Sequence, residues 1–478
     1  MFDVKLSELL KNVRIVSGNA AFEVSGIAYD SRAVKPGDVF VCIKGFATDG
    51  HSYVQKAIEN GAVAVVAQDP VAVCVPVVYV ADSRMALAQM AKVYYDYPDE
   101  KMQIVGITGT NGKTTVTYLI KHILEQQGAK VGLIGTNQNM IGATVLPTER
   151  TTPESKELYA MFADMVEAGC SHVVMEVSSH ALELSRVGGV RFAVGVFTNL
   201  TQDHLDFHGD MEHYYLAKAK LFSVCEKSVI NTDDAYGKRL AASAPALLGY
   251  SIEAASELQA TEIEISAKGV LYDAIYAGEK TSAHIGIPGK FSVYNSLAAL
   301  GVALQLGIDI DTAVRALLTA KGVKGRAEVV PTATPYTVLI DYAHTPDGLE
   351  NIISTVNEFK TARVITLFGC GGDRDRTKRP LMGETAARLS DFVIVTSDNP
   401  RTEDPESIID DIMPGVLKTD CPYVRITSRK DAIAYALAHA QADDIIVLAG
   451  KGHETYQILN TGKIHFDERE IVHALLNE

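Results

Sequence analysis

Residues 106–115 read G-I-T-G-T-N-G-K-T-T, between the apolar run Met102 to Ile107 and a segment whose apolar residues, Val116, Leu119, Ile120, Ile123 and Leu124, recur at helical spacing. The pattern is a strand, a glycine-rich turn and a helix. Gly109 and Gly112 allow the backbone N–H groups of the loop, through Thr110 and Asn111 to Thr115, to converge on phosphate oxygens, and the helix N-terminus adds its partial positive charge. Lys113 can reach the terminal phosphates and Thr114 can hold Mg²⁺, so a nucleoside triphosphate is the expected ligand. The strict P-loop spacing asks for glycine at 107, where Ile107 stands.

Two more polar segments end apolar runs in the same region. The run His172 to Val177 leads into Glu176-Val177-Ser178-Ser179-His180, which puts Glu176 at the carboxyl end of a parallel strand, where ligands of open α/β sheets collect. Glu176 is therefore a candidate magnesium ligand beside Thr114. The run Val194 to Phe197 leads into a loop from Thr198 to Gly209 carrying Asp203, His204, Asp206 and His208. Three polar loops at one sheet edge make a metal and phosphate site the expectation. Near the C-terminus, Phe368-Gly369-Cys370-Gly371-Gly372-Asp373-Arg374-Asp375-Arg376 follows another strand, without the G-x-G-x-x-G spacing of a dinucleotide loop. Asp398-Asn399-Pro400-Arg401 follows the next strand, and Gly450 with Glu454 a later one, so all three lie at one sheet edge.

Positioning these groups takes more than one domain. A chain of 478 residues exceeds a single core, and about 100 to 200 residues per domain predicts three. Short β-rich runs (Gly26 to Tyr29, Val39 to Ile43, Ala62 to Ala67, Val75 to Val80) and a helical segment near Met85 to Tyr95 fill the first hundred residues. The polar stretch 97–101 reads as a linker. From 102 to about 330 the spacing predicts βαβ crossovers and a mainly parallel sheet. Pro331-Thr332-Ala333-Thr334-Pro335 reads as a second boundary, after which α/β alternation restarts. The predicted domains are residues 1–98, 99–333 and 334–478, all α/β.

With 47% hydrophobic and 22% charged residues and no unbroken apolar stretch of membrane-spanning length, the sequence predicts a globular protein without membrane insertion. The opening M-F-D-V-K-L-S-E-L-L has no signal-peptide pattern, and a cytoplasmic protein is expected. Cys42, Cys74, Cys170, Cys225, Cys370 and Cys421 lack C-x-x-C spacing and read as reduced small residues. A net charge of -15 disfavours nucleic acid as a partner, and anionic ligands must be held by local cations and metal ions.

In this order along the whole chain, G-T-N-G-K-T-T, E-V-S-S-H, D-H-L-D-F-H-G, H-Y-Y-L-A-K, G-R-A-E, D-Y-A-H-T-P and A-G-K-G-H-E closely resemble the Mur ligases of bacterial cell-wall synthesis. The resemblance is strongest to the branch that adds the third peptide residue, and Tyr29-Asp30-Ser31-Arg32 with G-F-A-T-D-G-H at 45–51 looks like that branch's UDP-binding domain. The family's loop is G-T-N-G-K-[ST], which accounts for Ile107.

The resemblance implies an N-terminal UDP-binding domain, a central P-loop ATPase domain and a C-terminal Rossmann-like domain. It implies that ATP activates the D-glutamate carboxylate of UDP-N-acetylmuramoyl-L-alanyl-D-glutamate as an acyl phosphate, which the amine of meso-diaminopimelate then displaces. By position, Lys113, Glu176, His204 and Lys218 are the catalytic set. Lys218, as a carbamate, would bridge a second Mg²⁺ near His204, with Lys220 its nearby competitor. Asn295, Arg326 and Asp341 would approach the nucleotide, and His344 would order the same loop. Tyr29, Ser31, Thr151, Thr152, Ser178 and Arg186 would bind the UDP-linked substrate. Leu184 stands where the family has an amide. Arg374, Asp398, Asn399, Pro400, Arg401, Gly450 and Glu454 would hold the amino acid, with Arg401 the bidentate partner of the carboxylate that separates meso-diaminopimelate from lysine. The implied role is peptidoglycan synthesis, hence cell-wall biogenesis, cell shape and division, by a monomer. The rivals are the lysine-adding enzyme of the same step, folylpolyglutamate synthesis, and a P-loop NTPase with no amide product.

Overall fold

The computed structural model describes residues 4–477 apart from 46–47, 149, 267–268 and 321. Phe46 and Ala47 of the G-F-A-T-D-G-H stretch, and the first three residues of the N-terminal segment, lie outside the described residues. The chain divides into two compact units, one reaching Ser256 and including Ala298–Asp309, the other made of Glu257–Leu297 and everything from Ile310 onward.

The first unit holds two sheets of more than two strands. Strands β1 (Ile15–Ser17), β2 (Gly26–Ala28), β3 (Asp38–Val41), β4 (Ala64–Ala67) and β5 (Val77–Val80) form a sheet in the order β1-β5-β4-β3-β2, parallel except at β1. Helix α1 (Ser83–Tyr94) follows, started by the Asp82 carboxylate accepting from the N–H groups of Arg84 and Met85. The larger sheet is built from β6 (Gln103–Thr108), α2 (Lys113–Gln126), β7 (Val131–Ile134), β8 (Asn139–Ile141), β9 (Thr144–Leu146), α3 (Ser155–Glu167), β10 (His172–Glu176), β11 (Phe192–Phe197), α4 (Leu205–His208), α5 (Met211–Ala219), β12 (Cys225–Asn231) and β13 (Leu247–Ser251). Its strand order is β9-β8-β7-β10-β6-β11-β12-β13, and all pairs from β7 to β13 are parallel.

Buried on both faces, the central strands β7, β10, β6 and β11 are nearly pure apolar runs. Where a neighbour presses closest they carry glycine: a Cβ at Gly106 would meet the Phe192 ring, one at Gly132 the Met165 thioether and one at Gly195 the Cys225 thiol. The stretch 97–101 is not a free linker. Residues Pro98–Glu100 form a helical turn whose Asp99 is buried against Lys92 at 2.8 Å and also accepts from the Arg191 N–H. A polar composition signals exposure only while its charges lack buried partners.

The second unit opens with an antiparallel meander, β14 (Leu258–Ser266), β15 (Gly269–Tyr276) and β16 (Glu279–Ile285), in a region expected to continue the βαβ alternation. Helix α6 (Lys290–Gln305) carries Asn295. Strands β17 (Glu328–Val330), β18 (Thr337–Asp341), β19 (Val364–Phe368), β20 (Phe392–Val395), β21 (Tyr423–Arg425) and β22 (Ile445–Ala449) then form a sheet in the order β17-β18-β22-β19-β20-β21. Only β17 is antiparallel. Because β17 pairs with β18, the proline-bracketed segment 331–335 is a connection inside this sheet. A linker and a hairpin turn call for the same residues. Helices α7 (Lys378–Leu389), α8 (Pro405–Val416) and α9 (Arg429–His439) connect and cover the later strands. The six cysteines are unpaired.

Candidate functional site

In the first unit the loop between β6 and α2 takes a shape that two glycines permit. Gly109 has φ +146° and Gly112 φ +86°, and a Cβ at 109 would collide with the Thr198 hydroxyl. The loop is bound to the segment after β11: the Thr110 N–H donates to the Asn199 carbonyl at 2.9 Å, the Asn111 N–H to Asn199 Oδ1 at 2.9 Å, and Thr198 Oγ1 to the Asn111 carbonyl at 2.6 Å. Lys113 folds back over it, donating to the carbonyls of Gly109 at 2.9 Å and Thr110 at 2.8 Å. Thr115 is buried in the first turn of α2.

Glu176, 1% exposed at the end of β10, gathers three hydroxyl or amide donors. Thr114 Oγ1 donates to its Oε1 at 3.0 Å, the Thr136 N–H to the same oxygen at 2.9 Å, and Thr136 Oγ1 to Oε2 at 3.1 Å. Thr136 Oγ1 lies 3.0 Å from Thr151 Oγ1, and Thr152 Oγ1 donates to the Glu176 carbonyl at 2.9 Å while accepting from the Ser178 N–H. Arg186 Nη1 reaches the Thr152 carbonyl at 3.3 Å, and its Nε lies 3.1 Å from Glu154. Thr151, Thr152, Ser178 and Arg186 are thus brought together beside the Thr114–Glu176 pair. Tyr29 and Ser31 sit by β2: the Tyr29 hydroxyl donates to Glu157 at 2.8 Å, and Ser31 is buried with its carbonyl accepting from Asn60. The Leu184 carbonyl accepts from Arg84, whose Nη1 also meets Glu154.

The third component is α5. Lys218, 2% exposed, donates to the Gly109 carbonyl at 2.9 Å, the oxygen that Lys113 also uses, and its Nζ lies 4.4 Å from the centre of the Tyr214 ring. Burial first, and then the neighbouring Lys113 charge, pulls its ammonium well below the ordinary lysine range. Lys220, two residues on, is half exposed and paired with Glu183 at 2.6 Å. His204 adopts φ +53° at the head of α4, with Nε2 3.5 Å from Asp203 and its ring 4.9 Å from that of His180.

The oxygen donors Thr114 and Glu176 are of the type a hard divalent ion takes, whereas Lys218 offers only N–H donors as it stands. A different carboxylate–imidazole group, Asp49, His51 and Asp69, has metal-like spacing. There His51 spends Nδ1 on Asp49 at 2.6 Å and Nε2 on the Asp69 N–H at 3.2 Å, and Lys44 pairs with Asp69.

In the second unit the carboxyl ends of β18, β19, β20 and β22 share one sheet edge, as parallel strands require. Asp341 accepts from the N–H groups of Ala327 at 2.7 Å and Ala343 at 2.8 Å, and Arg326 lies 5.1 Å from the Tyr342 ring centre. The His344 ring lies tilted against Tyr342, ring centres 4.6 Å apart, and burial holds its imidazole below the ordinary range. Asn295 is buried in α6. Asn399 Oδ1 accepts from Ile458 N–H at 2.9 Å and from the buried Lys451 at 3.2 Å, while its Nδ2 donates to Glu454 at 2.9 Å. Asp398 Oδ2 is buried without a hydrogen-bond partner. Gly450, φ +114°, leaves room for that oxygen, which a Cβ would approach to 2.7 Å. Gly372 packs against the Pro400 carbonyl, which a Cβ there would strike. Arg374 is exposed, donating to the Asp373 carbonyl, and Arg401 donates to the Gly372 carbonyl at 2.7 Å.

Over 99% of both chains, the sequence is 52% identical to UDP-N-acetylmuramoyl-L-alanyl-D-glutamate--2,6-diaminopimelate ligase of Caldanaerobacter subterraneus subsp. tengcongensis. The chain belongs to the Mur ligase family. Residues 23–95 match the Mur ligase family catalytic domain, 107–303 the Mur ligase middle domain and 325–452 the Mur ligase glutamate ligase domain. A protein of the same name from Clostridium botulinum is 48% identical, over 95% of this chain and 96% of its own. A solved structure of a UDP-N-acetylmuramoyl-L-alanyl-D-glutamate--2,6-diaminopimelate ligase superposes with TM-score 0.75 at 32% identity, covering 100% of this chain and 99% of that one. Folylpolyglutamate synthase of Mycobacterium tuberculosis, at 17% identity and TM-score 0.62 over 82% of this chain and 95% of that one, shares the fold.

Within this Mur ligase framework, several supporting residues went unread in the sequence. Thr136 and Asn199 hold Glu176 and the phosphate loop, yet each looks like a loop residue of no special spacing. Glu154 and Arg84 approach Arg186 from elsewhere in the chain. Only the apolar-to-polar switch at each strand end hints at them.

Proposed function

We propose that the chain is the ATP-dependent ligase that joins meso-2,6-diaminopimelate to the D-glutamate of UDP-N-acetylmuramoyl-L-alanyl-D-glutamate, as a cytoplasmic monomer in peptidoglycan precursor synthesis. The observation that carries this reading is the 52% identity, end to end, with a protein of that name. The glutamate carboxylate attacks the γ-phosphorus of ATP and ADP leaves. The amine then attacks the acyl phosphate, phosphate departs, and the amine's proton passes to solvent or a basic group.

Both partners in the first step are anions, so the protein's part is neutralisation and alignment. Lys113, folded back over the loop at the helix N-terminus, is placed to receive phosphate oxygens. Thr114 and Glu176 would hold Mg²⁺, with His204 and a carbamylated Lys218 at a second ion; bound metal would supply further charge neutralisation at the phosphates. Thr151, Thr152, Ser178 and Arg186, with Tyr29 and Ser31, are proposed for the UDP-linked substrate, and Asn295, Arg326 and Asp341 for the nucleotide. Arg374, Asp398, Asn399, Pro400, Arg401, Gly450 and Glu454 are proposed for the amino acid. Their acids and bases in one cluster suit a zwitterion. The test is phosphate release from ATP with and without the UDP-dipeptide. A ligase releases phosphate only when the dipeptide is present, and release at equal rates without it would favour an NTPase.

A further inference from the structure

Arg379, at the second residue of α7, is 0% exposed and touches none of the residues proposed to hold substrate. A fully buried guanidinium is costly unless its charge and its donors are met. Its Nη1 donates to Glu403 Oε2 at 2.9 Å and Asp411 Oδ2 at 2.8 Å, and its Nη2 to Glu403 Oε1 at 2.8 Å and the Gly371 carbonyl at 3.3 Å. The fork therefore grips the loop after β19 directly, through Gly371, and the segment after β20 through Glu403.

Glu403 completes the link. It also accepts from the Asp373 N–H, while the Asp373 carboxylate accepts from Thr402 Oγ1 at 2.7 Å and the Thr402 N–H at 3.2 Å. The Gly372 N–H donates to the Asn399 carbonyl at 2.9 Å and Arg401 Nη1 to the Gly372 carbonyl at 2.7 Å. Between the two loops, every bond joins the segment bearing Arg374 to the segment bearing Arg401. Arg401 itself sits at φ +54°, a left-handed conformation that an arginine keeps only when its surroundings impose it.

We infer that Arg379, through its fork to Glu403, is a positioning residue that fixes Arg401 and Arg374 relative to one another and so sets which amino acid the enzyme accepts. The inference rests on the amino-acid-adding reading above. The Arg379 fork bonds to Glu403, Asp411 and the Gly371 carbonyl, so it acts on where the two guanidinium groups stand through the loops that carry them. Lysine in its place keeps the charge and loses the fork.

The test is steady-state kinetics of the full chain as wild type, Arg379→Lys, Glu403→Gln and Arg363→Lys. The last loosens the Arg363–Asp444 pair at the opposite end of β19 and serves as a control for general destabilisation. For Arg379→Lys and Glu403→Gln, KM for meso-diaminopimelate should rise about tenfold and its preference over L-lysine should fall about as much, with KM for ATP and for the UDP-dipeptide held within about twofold. Arg363→Lys should lower thermal stability without that selective change. Glu403 is partly exposed, so Glu403→Gln reads out even where Arg379→Lys does not fold. A wild type that requires meso-diaminopimelate together with variants whose three KM values move in parallel, or not at all, overturns the inference alone. A wild type indifferent to meso-diaminopimelate overturns the reading of function and the inference with it.

Discussion

Two glycine-rich loops follow central strands in this chain, 109–112 after β6 and 369–372 after β19, and they are held by different means. Neutral groups fasten the first: the Thr110 and Asn111 backbone, Thr198 and Asn199. Two lysines crowd on it, Lys113 and Lys218 donating to one carbonyl oxygen. The second is fastened by charge, with Arg379 donating to both Glu403 and Asp411 and Glu403 also accepting from the Asp373 N–H. We propose that the first loop receives the phosphates of ATP and the second an amino acid carrying both signs, selected by the geometry that the charged fastening sets.

The sharpest way to break that contrast is to remove the two lysines. Lys113→Ala, which takes away a cation at the phosphates, and Lys218→Ala, which takes away the proposed carbamate ligand, should each lower kcat by roughly 10³-fold or more, the scale of losing a preorganised charge at phosphoryl transfer. Both should still fold. Lys220→Ala, altering only an exposed pair with Glu183, should keep full turnover. Equal losses at 218 and 220 in a turnover assay would refute the assignment of Lys218.

Next in size is Glu176→Gln, which keeps the shape around Thr114 and Thr136 but removes the charge. We expect a loss of roughly 10²-fold in kcat and a magnesium titration displaced to higher concentration, with binding of the UDP-dipeptide little changed. An unaltered magnesium titration would remove Glu176 from the metal site.

On the charge-fastened side, Arg401→Ala should lose roughly thirtyfold in kcat/KM for meso-diaminopimelate, the order expected when a carboxylate loses its buried partner, while L-lysine use changes little. Equal loss for both amino acids would show that Arg401 shapes the loop and does not read the substrate.

The smallest expected effect is on stability against pH. The Arg379 fork, with the Asp373 N–H, holds the Glu403 carboxyl down to about 2 from an ordinary 4.5. A carboxylate lowered on folding stabilises the folded state above its ordinary value and loses that contribution as pH falls through the folded one. Thermal melts of wild type and Glu403→Gln should therefore differ most above pH 4.5 and converge as the pH approaches about 2. A constant offset across that window would mean that Glu403 acts by packing alone.

The contrast also explains what could be read from the sequence. The first loop is local: Gly109, Gly112, Lys113 and Thr114 lie within six residues, and their spacing announces phosphate. Glu176 and Lys218 could be proposed as well, one from a strand end and the other from H-Y-Y-L-A-K, and the structure adds that Lys218 is buried while Lys220 is half exposed. The charge-fastened loop is assembled from residues 371, 373, 379, 403 and 411, spread over about forty positions, so no window contains it. Arg379 in R-T-K-R-P reads as one more solvated cation. Composition misled in the same way at 97–101, where Asp99 is buried with Lys92, and at 331–335, where a hairpin turn resembles a linker.

The central claim is tested most directly by measuring ADP, phosphate and UDP-linked product in one reaction, omitting ATP, Mg²⁺, UDP-N-acetylmuramoyl-L-alanyl-D-glutamate or meso-diaminopimelate in turn and replacing the last with L-lysine. Equal amounts of ADP, phosphate and tripeptide product are expected in the complete mixture, no product in any omission, and little with lysine. Product formed as readily from lysine, or ADP accumulating at the same rate without the UDP-dipeptide, would contradict it.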